Sequence, residues 1–419
     1  GIGTSTLAVR GILVGNGTSP VSITTAINIA SDGGVAIGNT QSLGTGTLIV
    51  RNTVQAGQTG VTDGTMNLVG GTSGVVSIKP QAVAGTYNFN VPITAGTAGY
   101  VLASAGGASA PMAWTPPSDF NFGLSASSVA SALTLSITDA TGATPTATSP
   151  VVMPFRSATG GIGIPTWRSI TGATSVTVPQ TAIIGTLSGV PFRFWLTGHD
   201  TGTSVILGLI NCASTGTLYQ LPEYATKNTV AISAASATAG VFYASSAVSN
   251  RPFRILGFAE YGGGLTTAGV YASVPTTLQL FGPGIPRPGQ VIQAVQTTTS
   301  AATTNTGTAF VDTNLSASIT PLSAANYVST VWLGETQAGI ADQPVVTALR
   351  RGGVVIGPGK ASNSGANNII ANTGQSWLDS PNSTASLTYT VAIRVIVAGT
   401  ASFPNGAGGG VIQLAEVMG

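Results

Sequence analysis

Leu387-Thr-Tyr-Thr-Val-Ala-Ile-Arg-Val-Ile-Val397 is the stretch that decides the fold class. Leu387, Tyr389, Val391, Ile393, Val395 and Val397 alternate with Thr388, Thr390, Ala392, Arg394 and Ile396. Successive side chains of an extended chain point to opposite faces, so this period of two predicts a strand with one buried face. Neighbouring strands are expected near Tyr327 to Leu333 and Val411 to Val417, which makes residues 287–419 an antiparallel β-sandwich or jelly roll. The one segment with helix-forming letters, Val345 to Arg351, predicts a short helical turn.

Upstream, Gly282-Pro-Gly-Ile-Pro-Arg-Pro-Gly289 holds three prolines and three glycines in eight residues, which no sheet accommodates, so a linker is placed there. Before it, residues 119–286 carry most of the bulky aromatics, among them Phe155, Trp167, Phe194, Trp195 and Phe258. Leu133, Leu135 and Ile137 alternate with Thr134, Ser136 and Thr138, again a half-buried strand, and the region reads as a self-sufficient middle β-domain. Residues 1–118 differ in texture. They contain no aromatic residue before Tyr87, and short apolar pieces at Leu7 to Val9, Ile23 to Ile29, Leu48 to Val50 and Val75 to Ile78 are separated by Gly, Thr, Ser and Asn. Gly-Thr-Ser-Thr-Leu-Ala-Val-Arg from Gly3 recurs as Gly-Thr-Gly-Thr-Leu-Ile-Val-Arg from Gly44, a spacing suited to stacked repeats. Units so poor in bulky groups cannot bury an apolar face alone. An elongated β-shaft whose core forms between chains follows. The whole is read as all-β, a shaft followed by two sandwich-like domains.

Composition points the same way. Only 6% of the 419 residues are charged, against roughly 25% in an ordinary globular protein. Such a surface suits a chain flanked by copies of itself, because Ala, Val and Thr lose little on being buried whereas charges must be desolvated. The positive mean hydropathy does not signal membrane helices, since no apolar run approaches the ~20 residues a span needs. A membrane barrel would need aromatic girdles, and aromatics total 6%. A net charge of +2 gives no drive toward nucleic acid or anionic lipid. One cysteine, Cys212, excludes a disulfide framework within one chain and is read as a small buried hydrophobe. No secretory signal is visible, and a segment before Gly1 is expected to have been removed or left out.

Ser77-Ile-Lys-Pro-Gln-Ala-Val-Ala-Gly-Thr-Tyr-Asn-Phe-Asn-Val-Pro, followed by Thr94-Ala-Gly-Thr-Ala-Gly-Tyr-Val-Leu-Ala-Ser-Ala-Gly-Gly and by Trp114-Thr, resembles a cassette of phage tail-fibre and other virion proteins. Trp377-Leu-Asp-Ser-Pro, the strand from Leu387 and the closing Ile412-Gln-Leu-Ala-Glu-Val-Met look like the terminal domains of the same proteins. The resemblance covers the junction and tail of the chain well, the middle more loosely, and names no site. It implies a homotrimer on the virion, partnered by tail, baseplate or head proteins, with a distal region that attaches to a host-surface glycan or protein. Two alternatives stay open: a capsid decoration, head-fibre or baseplate protein without a receptor role, and a tailspike glycan hydrolase.

A hydrolase needs two carboxylates across a sugar. Asp139, Asp200, Glu223, Glu260, Asp312, Glu335, Asp342, Asp379 and Glu416 are scattered singly, so no enzyme, metal site or cofactor is expected. The one histidine, in Leu-Thr-Gly-His199-Asp-Thr-Gly, reads as part of a turn. Val354-Val-Ile-Gly-Pro-Gly-Lys360 lacks the first glycine and the hydroxyl of a phosphate loop and reads as a strand and a turn. Arg350 and Arg351 read as a solvated loop or, more sharply, as an anionic-glycan contact. Trp332 and Trp377 are the candidates for stacking on sugar, against the plainer reading of a sandwich core, with Ser362 to Asn372 and Asn382 to Ser386 as polar loops beside them. Sequons at Asn16, Asn314 and Asn382 matter only in a secretory host.

Overall fold

The computed structural model describes residues 65–69, 74–78, 92, 101–104, 112–115, 121–147, 149–156, 165–340, 343–362, 370–397, 399–405 and 408–419. The Gly3 and Gly44 repeats, the pieces near Leu7, Ile23 and Leu48, and most of the Ser77–Trp114 cassette lie outside them. Every regular element among the described residues is a β-strand, and none of them forms a helix able to cross a membrane. The chain divides into two compact units, Gly1–Gly85 and Thr86–Gly419.

In the first unit, strands Met66–Val69 and Val75–Ile78 form an antiparallel hairpin. Register sets Met66 opposite Ile78 and Leu68 opposite Val76 on one face. Asn67 and Ser77 meet on the other, where Ser77 Oγ donates to Asn67 Oδ1 at 2.6 Å.

The second unit opens with the short hairpin Val101–Ala103 and Ala113–Thr115. Its terminal region is the sandwich expected from Leu387 onward. One sheet is built around Tyr327–Ala338, flanked by Gly410–Val417 and Ile370–Asp379. The facing sheet is built around Leu387–Val395, flanked by Val311–Ile319 and Val345–Arg351. Tyr389, Val391, Ile393 and Val395 all reach the core between the sheets, where they meet Leu315, Trp332, Phe403, Ile412 and Leu414. Two details differ from expectation. The strand ends at Val395, leaving Ile396 and Val397 exposed, and the Tyr327 and Val411 segments pair with each other across the sandwich instead of beside it. Val345–Arg351 is a strand and not a helical turn, because pairing with both Leu387–Val395 and Lys360–Ser362 buries Val345 to Leu349 in full.

Residues 122–280 form their own sheets. Phe192–Asp200 is central, between Val205–Asn211 and Phe253–Tyr261. Every residue of that central strand is buried. Phe192, Phe194 and Leu196 face a core shared with Leu133, Leu135 and Ile137 from a second, smaller sheet. Trp195 on the other face joins Ile210, Cys212, Phe253, Phe258 and Met418. Met418 belongs to the terminal region, and Phe281 just before the Pro-Gly stretch, Ile285 within it and Ile292 in the strand Val291–Thr299 after it complete the same cluster. The region expected to be self-sufficient therefore borrows one of its walls. The Gly282–Gly289 stretch stays outside the sheets, yet Gly289 N donates to Met418 O at 2.8 Å and fixes it in place.

Candidate functional site

The sequence candidates separate in space. Trp332 is fully buried, edge-on to Phe403 with ring centroids 5.6 Å apart, so it has no face to offer a ligand. It alternates inward on Tyr327–Ala338 and serves the core. Arg350 and Arg351 lie on a strand and not in a loop, and as successive residues they point to opposite faces. Arg350 Nη1 donates to Asp312 Oδ1 at 2.7 Å, and Arg351 Nη1 to Asp379 Oδ2 at 2.5 Å. Each charge is matched, so the pair makes no joint cationic patch.

Trp377 is different. It is 36% exposed and lines a groove of 630 Å³ between the terminal and middle regions. Its strand, Ile370–Asp379, lies beside Tyr327–Ala338, with Trp377 opposite Thr330, whose hydroxyl donates to Trp377 O at 3.1 Å. Asp379, two residues on, shares that face. Its carboxylate accepts from Arg351 and from the Tyr389 hydroxyl at 2.6 Å. Burial, with Asp379 beside it, raises the Tyr389 pKa, so the phenol stays a donor. The opposite wall comes from the middle region. Tyr219, 38% exposed, follows the small hairpin Ala213–Ser214 and Thr217–Leu218 and is fixed by its N–H donating to Cys212 O at 2.7 Å. Thr186, only 2% exposed, lines the same groove, and its Oγ1 has no hydrogen-bond partner. A buried hydroxyl left unpaired costs roughly 1–3 kcal/mol. Tyr219 and Thr186 carry no local sequence signal, since neither stands in a motif and their meeting with Trp377 joins segments more than a hundred residues apart.

The histidine and the acids do not assemble a catalytic set among the described residues. His199 lies within Phe192–Asp200 and not in a turn; the chain reverses after Asp200, where Thr201 N donates to Ser204 O. Its ring is fully buried, and Nε2 shares a 2.9 Å hydrogen bond with Thr197 Oγ1. The neighbouring Asp200 carboxylate is held by Arg168 at 2.7 and 3.2 Å. Glu223 pairs with Arg287, Glu260 with Arg193, and Glu416 accepts from Gln293 and from Leu322 N. Asp342 lies outside the described residues. Burial raises the Cys212 thiol pKa and keeps it protonated. No group of three or more His, Cys, Asp or Glu is gathered among the described residues.

No protein-family model matches the chain, and the comparison with curated proteins finds no match. Among solved structures, the chain is similar to the VP2 subviral particle of infectious bursal disease virus, at 12% identity and a TM-score of 0.20, over 55% of this chain and 73% of that one. A structure of the Gx strain of the same virus matches at 10% identity and a TM-score of 0.22, over 71% and 76%. A Cry1Da tryptic core variant of Bacillus thuringiensis matches at 11% and 0.17, over 71% and 51%. Likeness of this degree identifies neither a family nor a role.

Proposed function

We propose that the chain is a non-enzymatic structural subunit of a virus particle, a homotrimer of the tail-fibre kind whose terminal region attaches to the host surface. The observation that carries this reading is the apolar face of the first-unit hairpin. Met66, Leu68, Val76 and Ile78 are 52%, 53%, 64% and 54% exposed on one side of a two-stranded element. A two-stranded hairpin is marginal by itself in water, and an apolar face of this kind asks for a cover. A second and third copy supply one at no cost in charge burial, because the side chains that would meet are Met, Leu, Val and Ile. The scarcity of charge along the whole sequence supports the same arrangement. Three chains bring three attachment sites together, so weak individual contacts combine through high effective concentration.

Mass photometry of the full chain at micromolar concentration tests the assembly. Trimers are expected, and Leu68→Asp with Val76→Asp is expected to release monomers that keep their far-ultraviolet β signal. A native chain that is already monomeric at that concentration would sink the proposal. Truncation after Pro288 is a poor test of attachment, since it would strip Met418 and Ile292 from the core of the middle region.

A further inference from the structure

The groove at Trp377 has three properties that together specify a ligand class. First, its two exposed aromatic rings are backed by glycine. A Cβ on Gly240 would sit 2.6 Å from Tyr219 Cζ, and one on Gly357 would sit 3.5 Å from Trp377 Cδ2. Main chain at Gly240 therefore lies against the Tyr219 ring, Gly357 stands one methyl's breadth from Trp377, and part of each ring remains open to the groove. Rigid, partly open aromatic surfaces suit a flat, weakly apolar partner. Second, the Thr186 hydroxyl is buried in the groove wall without a partner. It can donate and accept, and a polar group settled against this wall of the groove would give it the partner it lacks. Third, Asp379 is the only charged side chain lining the groove among the described residues, and Arg351 neutralises it. Among the described residues no cation lines it to hold a carboxylate, sulfate or phosphate, while Ser214, Ser380 and Asn382 add uncharged hydrogen-bonding groups.

We infer that this groove binds a neutral saccharide, with one sugar face stacked on Trp377 or Tyr219 and a hydroxyl bonded to Thr186. A sugar ring matches all three properties, having an apolar C–H face, a rim of hydroxyls and no charge. The volume of 630 Å³ falls within the range of about 300–1,000 Å³ that ligand pockets occupy. This deepens the attachment reading, although the groove lies within one chain and does not need the trimer to exist.

The test is a titration of the full chain, followed by tryptophan fluorescence and calorimetry, with maltotriose, lactose and chitotriose as neutral probes and sialyllactose as the charged counterpart. Saturable binding of at least one neutral probe is expected, with a Kd in the millimolar range or tighter, about 1 mM being typical of one shallow site. Trp377→Ala should weaken it at least tenfold and Thr186→Val several-fold, whereas Trp167→Ala, at an exposed tryptophan that does not line the groove, should leave it unchanged. If Trp377→Ala does not fold, Tyr219→Ala serves in its place. The inference is overturned if no neutral probe binds up to about 10 mM, if binding survives both aromatic substitutions, or if only sialyllactose binds. Mass photometry on the same samples separates the two readings. A monomer that binds sugar defeats the trimer and leaves the groove standing, and a trimer that binds none does the reverse.

Discussion

His199 lies edge-on to Phe242 and stacked on Phe253, at 5.6 and 5.8 Å between ring centroids, with Nδ1 unpartnered. Desolvation lowers its pKa from 6.5 to about 4, so the folded protein holds it neutral through mild acid. The unfolded chain takes up a proton near pH 6.5 that the folded chain refuses until about pH 4, so stability must fall with pH across that window. The loss should approach roughly 3 kcal/mol by pH 4. Asp139 does not confuse the measurement. Hydrogen bonds from the Thr141 and Ser149 hydroxyls lower its pKa to about 2, so its contribution is lost only as the pH falls below the ordinary carboxylate value of 3.8. Urea midpoints at pH 7 and pH 4.5 should therefore differ in the native chain, and the difference should shrink in His199→Leu even if that variant is weaker at pH 7. An equal pH dependence in both would disprove the assignment. Flanked by Gly198 and Asp200, this residue reads locally as part of a turn. What the local letters do not carry is the burial of both faces of Phe192–Asp200, which keeps the strand extended through Gly198 and Asp200 and delays the reversal to Thr201.

Strands were legible where alternation was clean. Leu133, Leu135 and Ile137 lie inward as their spacing requires, and so do Tyr389 to Val395. Val345–Arg351 was not legible, because Val-Val-Thr-Ala-Leu is apolar or small throughout and Ala-Leu-Arg-Arg favours helix by propensity. Its three partner strands, Leu387–Val395, Lys360–Ser362 and Val354–Val355, decide the matter, a tertiary effect that outweighs a local preference of a few tenths of a kcal/mol per residue. Glycines inside strands were equally silent in sequence and are informative in the fold. Gly257 sits opposite Leu280, and a Cβ there would lie 2.1 Å from the Gln279 carbonyl oxygen and 2.8 Å from Leu124 Cδ1. Gly257→Ala must push the edge strand Thr277–Leu280 away from Phe253–Tyr261. A loss of about 2–3 kcal/mol is expected, read from the urea midpoint. Gly263→Ala, where nothing stands within 4 Å, should change stability by less than about 0.5 kcal/mol. If the two variants behave alike, the close approach of the two strands is not what the glycine serves.

Thr86–Gly419 is one compact unit although its large sheets fall into two groups, and the join between them is polar as well as apolar. Arg193 reaches from the middle sheet with Nε on Glu260 and Nη1 on Asn326 Oδ1, each at 2.5 Å. Asn326 in turn donates to Glu416, which also accepts from Gln293 Nε2 at 2.6 Å. Trp195 Nε1 donates to Gly419 O at 3.1 Å, and Ser323 Oγ to Glu260 Oε1 at 2.9 Å. None of this could be read from the sequence, because partners separated by 63 to 224 residues leave no period, and single Arg, Asn and Glu residues look like ordinary surface letters. The arrangement makes the two groups of strands depend on each other. Removing one member of a buried ion pair leaves its partner charge uncompensated, at a cost of roughly 3–5 kcal/mol. Arg193→Met should therefore destabilise the unit by that order and weaken the join specifically. Urea unfolding of the native chain, followed by tryptophan fluorescence and far-ultraviolet circular dichroism, should give coincident transitions for this unit, because Trp195 and Trp332 sit in different groups yet lose their surroundings together. In Arg193→Met the two probes should separate as one group of strands unfolds before the other, and adding Glu260→Gln should recover part of the loss by removing the stranded charge. Probes that already separate in the native chain, or an Arg193→Met midpoint that does not move, would show that the apolar cluster around Met418 holds the groups together without the polar network.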